Sequence, residues 1–159
     1  MSDKAGLYLG FEGREAVLLR ALEKTSAAGL NNLLFSRIYV RDLNPIFAEG
    51  ELDGIFLNFS DPWPKGRHSK RRLTSPEYLG MYGKILSRGG FIEFKTDSYD
   101  FFAYSKNSFQ NNPCFCIDAI IENLHDTNNS SSRARVLSEY EERFIRWNRR
   151  IYLIKAIRV

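Results

Sequence analysis

Leu52-Asp53-Gly54-Ile55-Phe56-Leu57-Asn58-Phe59-Ser60-Asp61-Pro62-Trp63-Pro64-Lys65 is the stretch that decides the fold. Its first half places Ile55, Phe56 and Leu57 on consecutive apolar positions, as expected of a strand covered on both faces. Its second half cannot continue that strand, because Pro62 and Pro64 remove backbone donors and fix φ. A strand that runs straight into an acid and a proline-rich loop has a functional meaning. In open parallel sheets, ligands bind outside the carboxyl ends of the strands.

Outward from this stretch, strand-like and helix-like segments alternate, the pattern of an α/β domain with a mainly parallel sheet. Toward the N-terminus, Leu33–Phe35 begins a strand that can continue to Val40. Before it, Arg14–Ala28 reads as an amphipathic helix with Val17, Leu18, Ala21 and Leu22 on one side and Gly29 as its C-terminal cap. Leu7–Phe11 is a short strand ending at Glu12. Toward the C-terminus, Ser75 can cap a helix with Pro76 at its first position, running to about Leu86. Arg88-Gly89-Gly90 turns into a strand over Phe91–Lys95, Asp100–Phe109 is helical, and Phe115–Glu122 is a strand. Asn123–Arg133 is a polar loop, Ser138–Trp147 a helix with the capping-box spacing of Ser138 and Glu141, and Ile151–Ile157 a terminal strand.

With 159 residues and 43% apolar content, the chain has the material of one globular domain. No stretch has the apolar length of a membrane span, and the N-terminus lacks the features of a secretion signal, so a cytoplasmic protein without membrane contact is expected. Cys114 and Cys116 alternate along an apolar run and read as buried thiols rather than a disulfide. His68 and His125 stand apart from other ligand types, so no metal site is expected.

The charge is concentrated. Lys65–Arg72 holds five of the Lys and Arg residues and no acid; without them the formal net charge of +4 becomes −1. Such a run is ordinarily a solvated loop. Likewise Glu12, Asp61 and Asp97, each following a strand, would singly read as N-caps or loop carboxylates. Together the three acids would ring one edge of a sheet, with the basic run starting from that edge. That combination suits a cationic or hydroxyl-rich small molecule handled beside a polyanion, and nucleic acid is the natural polyanion.

The segment from Asn58 to Leu73, with Asp61-Pro62-Trp63-Pro64-Lys65, Arg67-His68 and Lys70-Arg71-Arg72-Leu73, resembles the signature of the bacterial tRNA (guanine-N7)-methyltransferase family. The likeness extends from Tyr8-Leu9-Gly10-Phe11-Glu12 through Phe94-Lys95-Thr96-Asp97 to Ser138-Glu139-Tyr140-Glu141. It implies a Rossmann-like class I methyltransferase sheet with helices on both faces and an antiparallel C-terminal strand. The implied cofactor is S-adenosylmethionine, and the implied reaction methylates N7 of guanine 46 in the tRNA variable loop. By resemblance, Glu12 binds the cofactor ribose, Asp61 is the active-site acid and a cofactor contact, and Lys65, Asp97, Ser138 and Glu141 face the substrate. Arg67, Lys70, Arg71 and Arg72 are assigned to RNA phosphates. Trp63 either stacks on a base or anchors its loop. The implied partner is tRNA, with the protein a monomer or homodimer.

Two departures bear on these expectations. Family members open with a strand leading into Glu-x-Gly-x-Gly, whose backbone approaches the methionine part of the cofactor. These 159 residues contain no such run, so the expectation is a single methyltransferase domain, residues 1–159, lacking its first, central strand. In addition, Tyr39 stands where the family has an acid facing the adenine. An RNA-binding protein of this family that holds no cofactor is the alternative expectation.

Overall fold

The strand expected before Pro62 and Pro64 is present and already stops at Asn58, and the segments around it alternate as the pattern requires. The computed structural model describes residues 6–124 and 139–159. The chain falls into two units, one up to Asp42 and one from Leu43 onward.

The first unit is a β-α-β arrangement. Strand β1 (Tyr8–Phe11) leads to helix α1 (Glu15–Ala27) and strand β2 (Leu33–Ser36). The two strands pair in parallel, from Tyr8 with Leu33 to Phe11 with Ser36. After α1 the chain reverses at Gly29, whose φ of +64° is the left-handed turn that a glycine takes without Cβ strain. β2 stops at Ser36 rather than reaching Val40, because its ladder partner β1 ends and the last bond is Glu12 N–H to Ser36 O at 3.2 Å. None of the residues of α1 is buried.

The second unit carries strands β3 (Leu52–Asn58), β4 (Leu86–Thr96), β5 (Phe115–Ile121) and β6 (Tyr152–Arg158), with helices α2 (Pro76–Ile85), α3 (Tyr99–Gln110) and α4 (Glu139–Arg146). The strand order is β3-β4-β6-β5. β3 and β4 are parallel, while β6 is antiparallel to both its neighbours, so the C-terminal strand enters the sheet against the direction of the rest. β3 lies at the edge of this ladder and is not covered on both faces: Leu57 is buried, but Phe56 is 48% exposed and leans edge-on against Phe91. The Arg88–Gly90 turn is absorbed into β4 as a bulge. Leu52 pairs with Leu86 and Gly54 already with Phe91, and Gly89, at φ +77°, lets the intervening residues loop out.

Alternation along β4 divides the sheet's two faces. Ile92, Phe94 and Thr96 are fully buried against the helices, where Phe94 meets Phe101 of α3 at 4.9 Å. Burial of such side chains contributes roughly 1.5–3 kcal/mol each. The opposite face carries Glu93 and Lys95, with Lys155 opposite Glu93 on β6 and in contact with Asp118 at 2.8 Å. Side-chain caps start both central helices: Ser75 Oγ accepts from Tyr78 N–H, and Ser98 Oγ from Phe101 N–H. Ser98 therefore begins α3 one turn-position ahead of the expected start at Asp100. Cys116 is exposed and Cys114 half-buried, so the expectation of two buried thiols does not hold; both sit at the start of β5, where the strand enters from solvent. Ser138 and most of the Asn123–Arg133 loop lie outside the described residues.

Candidate substrate and nucleic-acid site

At the carboxyl end of β3 the last ladder bond is Phe59 N–H to Lys95 O, 3.0 Å. Beyond it the backbone leaves ordinary conformations twice, at Phe59 (φ +51°) and Trp63 (φ +42°). A bulky residue in the left-handed region costs of order 1–3 kcal/mol and persists only where its surroundings impose it. Here the surroundings are visible. Arg72 Nε donates to Pro62 O at 2.9 Å and its Nη2 to Trp63 O at 3.0 Å, while its guanidinium lies over the Tyr104 ring at 4.2 Å. Trp63 is contacted by Arg71, 4.9 Å from its ring centroid, and edge-on by His68 at 5.8 Å. Asp61 is held, exposed, between the two left-handed residues. Beside it the buried Ser60 Oγ has no hydrogen-bond partner among the described residues.

The basic run forms a 3-10 turn, Gly66–Arg71, presenting Arg67, Lys70 and Arg71 to solvent next to exposed Lys65. Lys70 Nζ lies 3.8 Å from Glu77 Oε1, with both side chains more than half exposed. Arg72 departs from the expectation of a phosphate contact. It is 9% exposed and its fork is spent on backbone carbonyls, so it shapes the loop from within. Trp63 in turn takes the anchoring position of the two considered for it.

Because β3 and β4 run parallel with Asn58 opposite Lys95, Asp61 and Asp97 emerge at the same edge of the sheet. Asp97 Oδ2 is 3.3 Å from Arg149 Nη1. Two residues back, Lys95 Nζ sits 3.2 Å from Glu141 Oε1 and 3.8 Å from Glu93 Oε1. The Glu141 side chain is only 3% exposed, so this expected substrate ligand is a buried partner of Lys95 in the structure. Sequence reasoning did not single out Lys95, Arg149, Ser60 or the strained Phe59. The one local signal was the Phe-Ile-Glu-Phe-Lys-Thr alternation, which places Glu93 and Lys95 on one face of a strand whose other face is core.

In the first unit, Glu12 follows β1 directly and its Oε1 accepts from Arg14 N–H at 2.7 Å, which orients the carboxylate. Such a group suits a cis-diol, since it can accept from both hydroxyls. The Tyr39 ring lies against Gly13, where a Cβ would come within 2.4 Å of it. A carboxylate held as Glu12 is fits the ribose of S-adenosylmethionine, and Tyr39 presents an exposed phenol rather than a carboxylate. Among the described residues no helix is long and apolar enough to cross a membrane, and no three His, Cys, Asp or Glu side chains cluster as a metal site would require.

Comparison with known proteins follows the same line. Residues 3–154 match a family described as "Putative methyltransferase". The chain is 41% identical over 150 residues to a tRNA (guanine-N(7)-)-methyltransferase of Halalkalibacterium halodurans, covering 94% of this chain and 66% of that protein. It is 41% identical to the tRNA (guanine-N(7)-)-methyltransferase of Geobacillus kaustophilus, covering 95% of this chain and 68% of the relative. The chain thus spans about two thirds of the length of the curated relatives it matches. Among solved structures, the tRNA (m1A58) methyltransferase of Aquifex aeolicus superposes with a TM-score of 0.63 at 18% identity, covering 98% of this chain and 54% of its own. A SAM-dependent O-methyltransferase of Thermotoga maritima gives 0.61 at 19%, covering 99% and 51%. At such identities the two structures speak for the α/β methyltransferase fold.

Proposed function

The chain belongs to the tRNA (guanine-N7)-methyltransferase family, and on that premise we propose that it acts in the transfer of a methyl group from S-adenosylmethionine to N7 of a guanine in tRNA, guanine 46 of the variable loop. The observation that carries this reading is the display of Asp61. It stands between two strained aromatic residues, at the same sheet edge as Asp97 and at the root of the basic turn.

S-adenosylmethionine, when bound, supplies an electrophilic methyl group on a sulfonium. The guanine N7 lone pair is free to attack, so no base has to remove a proton first, and positioning and electrostatics carry the rate. Asp61 accepts from the guanine N1 and N2 hydrogens, orienting the base and favouring the state in which the purine becomes cationic. Because Asp61 is held by its strained loop, little reorganisation is needed as that charge develops. Lys65 lies nearest the target nucleotide, Asp97 belongs to the substrate side with Glu141 behind it as the buried partner of Lys95, and Arg67, Lys70 and Arg71 meet phosphates. Glu12 accepts from the ribose hydroxyls of the cofactor.

The second reading, RNA binding without catalysis, is favoured by Tyr39, a phenol where the resemblance implies an acid facing the adenine. An assay with labelled S-adenosylmethionine and tRNA separates the two. It is run on the 159-residue chain and on a chain preceded by the Glu-x-Gly-x-Gly strand of a relative. Label at N7 of a variable-loop guanine supports methyl transfer. Salt-sensitive tRNA binding with no label from either protein supports the second reading, and neither label nor binding refutes both.

A further inference from the structure

α4 ends in a corner with an unusual composition: Arg143-Phe144-Ile145-Arg146-Trp147-Asn148-Arg149-Arg150 holds four arginines, an indole and no acid. The corner has a defined shape. Arg149 N–H donates to Phe144 O and Asn148 N–H to Ile145 O, both at 2.9 Å, with Asn148 at φ +52°. This is the bonding of a helix closed by a left-handed residue. It leaves Trp147 59% exposed, with the Arg143 and Arg149 guanidinium groups each 5.9 Å from its ring centroid.

We propose that this corner is a second RNA contact surface, in which Trp147 receives an unpaired base and Arg146 and Arg150 receive phosphates. The proposal rests on the reading that the chain binds tRNA. A helix C-terminus carries only about half a negative charge, which one or two cations answer. Four exceed that need even though Arg149 meets Asp97 and Arg146 lies 3.8 Å from Glu142 in an exposed pair that a phosphate can displace. Nothing in the dipole calls for an exposed indole. An aromatic face flanked by guanidinium groups is the makeup of a stacking platform for single-stranded nucleic acid. Protein-binding cores are also rich in Trp and Arg, so the choice of RNA rests on where the corner lies. It adjoins the proposed site. Arg149 Nη1 reaches Asp97 at 3.3 Å, and Phe144 packs on Phe59, 5.5 Å between ring centroids, two residues before Asp61.

The test is tRNA binding by fluorescence anisotropy across a salt series, with thermal unfolding as control. R146Q/R150Q should lower the log-log salt slope by about 1.4–1.8, since each phosphate contact contributes roughly 0.7–0.9. W147A should weaken binding about tenfold and W147F restore most of it, because stacking needs a ring rather than an indole. R67Q/K70Q/R71Q serves as comparator. If that triple variant loses binding while R146Q/R150Q and W147A keep the parental slope and affinity, the corner is a solvated helix end and the proposal is overturned, though tRNA binding stands. If the parent chain shows no salt-dependent tRNA binding, the proposal falls together with the reading beneath it.

Discussion

The loop after β3 and the end of β4 sit side by side on one sheet edge, and each is built around a cation withdrawn from solvent, Arg72 buried and Lys95 mostly so. Arg72 is satisfied by neutral partners, two carbonyls and an aromatic face. Lys95 is satisfied by two carboxylates, Glu141 and Glu93. Neutral partners fix the geometry without cancelling the charge, so the β3 loop stays positive beside Lys65, Arg67, Lys70 and Arg71. Carboxylate partners more than cancel it, two acids against one ammonium, so the cation at the β4 end is fully compensated. A polyanion is drawn to the first region, and the second is better suited to holding a shape.

The sharpest break in this comparison is Lys95→Met. It strands two carboxylates whose side chains are 12% and 3% exposed, and removing one partner of a buried pair costs about 3–5 kcal/mol. Urea unfolding should show that loss, and Lys95→Met/Glu141→Leu should recover much of it. A loss below about 1 kcal/mol in the single variant would mean that water reaches the cluster and that the interior is not compensated in the sense argued.

Asp61→Asn probes the other region through its chemistry. Asp61 is exposed, so unfolding should hardly change. In the methyl-transfer assay the rate should fall about 10²-fold, the usual scale for deleting one electrostatic contact to a developing charge. Cofactor affinity should move far less. Equal losses in rate and cofactor affinity would reassign Asp61 to cofactor binding.

Much of this edge was legible in the sequence, and the reasons are local. The apolar run ahead of Pro62 and Pro64 makes β3, Ser75-Pro76 starts α2, and the alternation after Ile151 makes β6. The basic turn is visible as composition. What was hidden depends on partners distant in the chain. Nothing in Lys70-Arg71-Arg72 marks the third cation as buried, because its place is set by Tyr104 and by carbonyls nine and ten residues back. Glu141 looked like a surface ligand because its partner lies 46 positions away on β4. The early end of β2 follows from the length of β1 rather than from Arg37–Val40.

Arg72→Lys tests whether the fork matters or only the charge. An ammonium keeps the charge but cannot address two carbonyls in a plane while lying on a ring. The expected loss is about 2 kcal/mol, within the range for hydrogen bonds to a charged group. tRNA affinity should fall with it, since the turn that presents Arg67 and Arg71 is braced through Pro62 and Trp63. Unchanged stability would make charge alone sufficient and weaken the contrast with Lys95.

Lys70→Gln should do least to the fold. Lys70 meets Glu77 at 3.8 Å with its side chain 85% exposed, and exposed pairs contribute about 0–1 kcal/mol. The Glu77 carboxyl is held below its ordinary range first by its own backbone N–H, then by Ser75, with Lys70 a smaller cause opposed by modest desolvation. A depressed carboxyl stabilises the fold above its unfolded pKa and loses that contribution as pH falls through the folded value. Removing Lys70 should therefore leave the acid limb of the stability profile nearly unmoved, and change stability at neutral pH by less than about 0.5 kcal/mol. The same substitution should lower the tRNA salt slope by roughly 0.7–0.9, one phosphate contact. A cation that costs the fold almost nothing and RNA binding a full contact is the opposite of Lys95. If Lys70→Gln instead shifts the acid limb and spares the slope, Lys70 serves helix α2 rather than RNA, and the positive region shrinks to Lys65, Arg67 and Arg71.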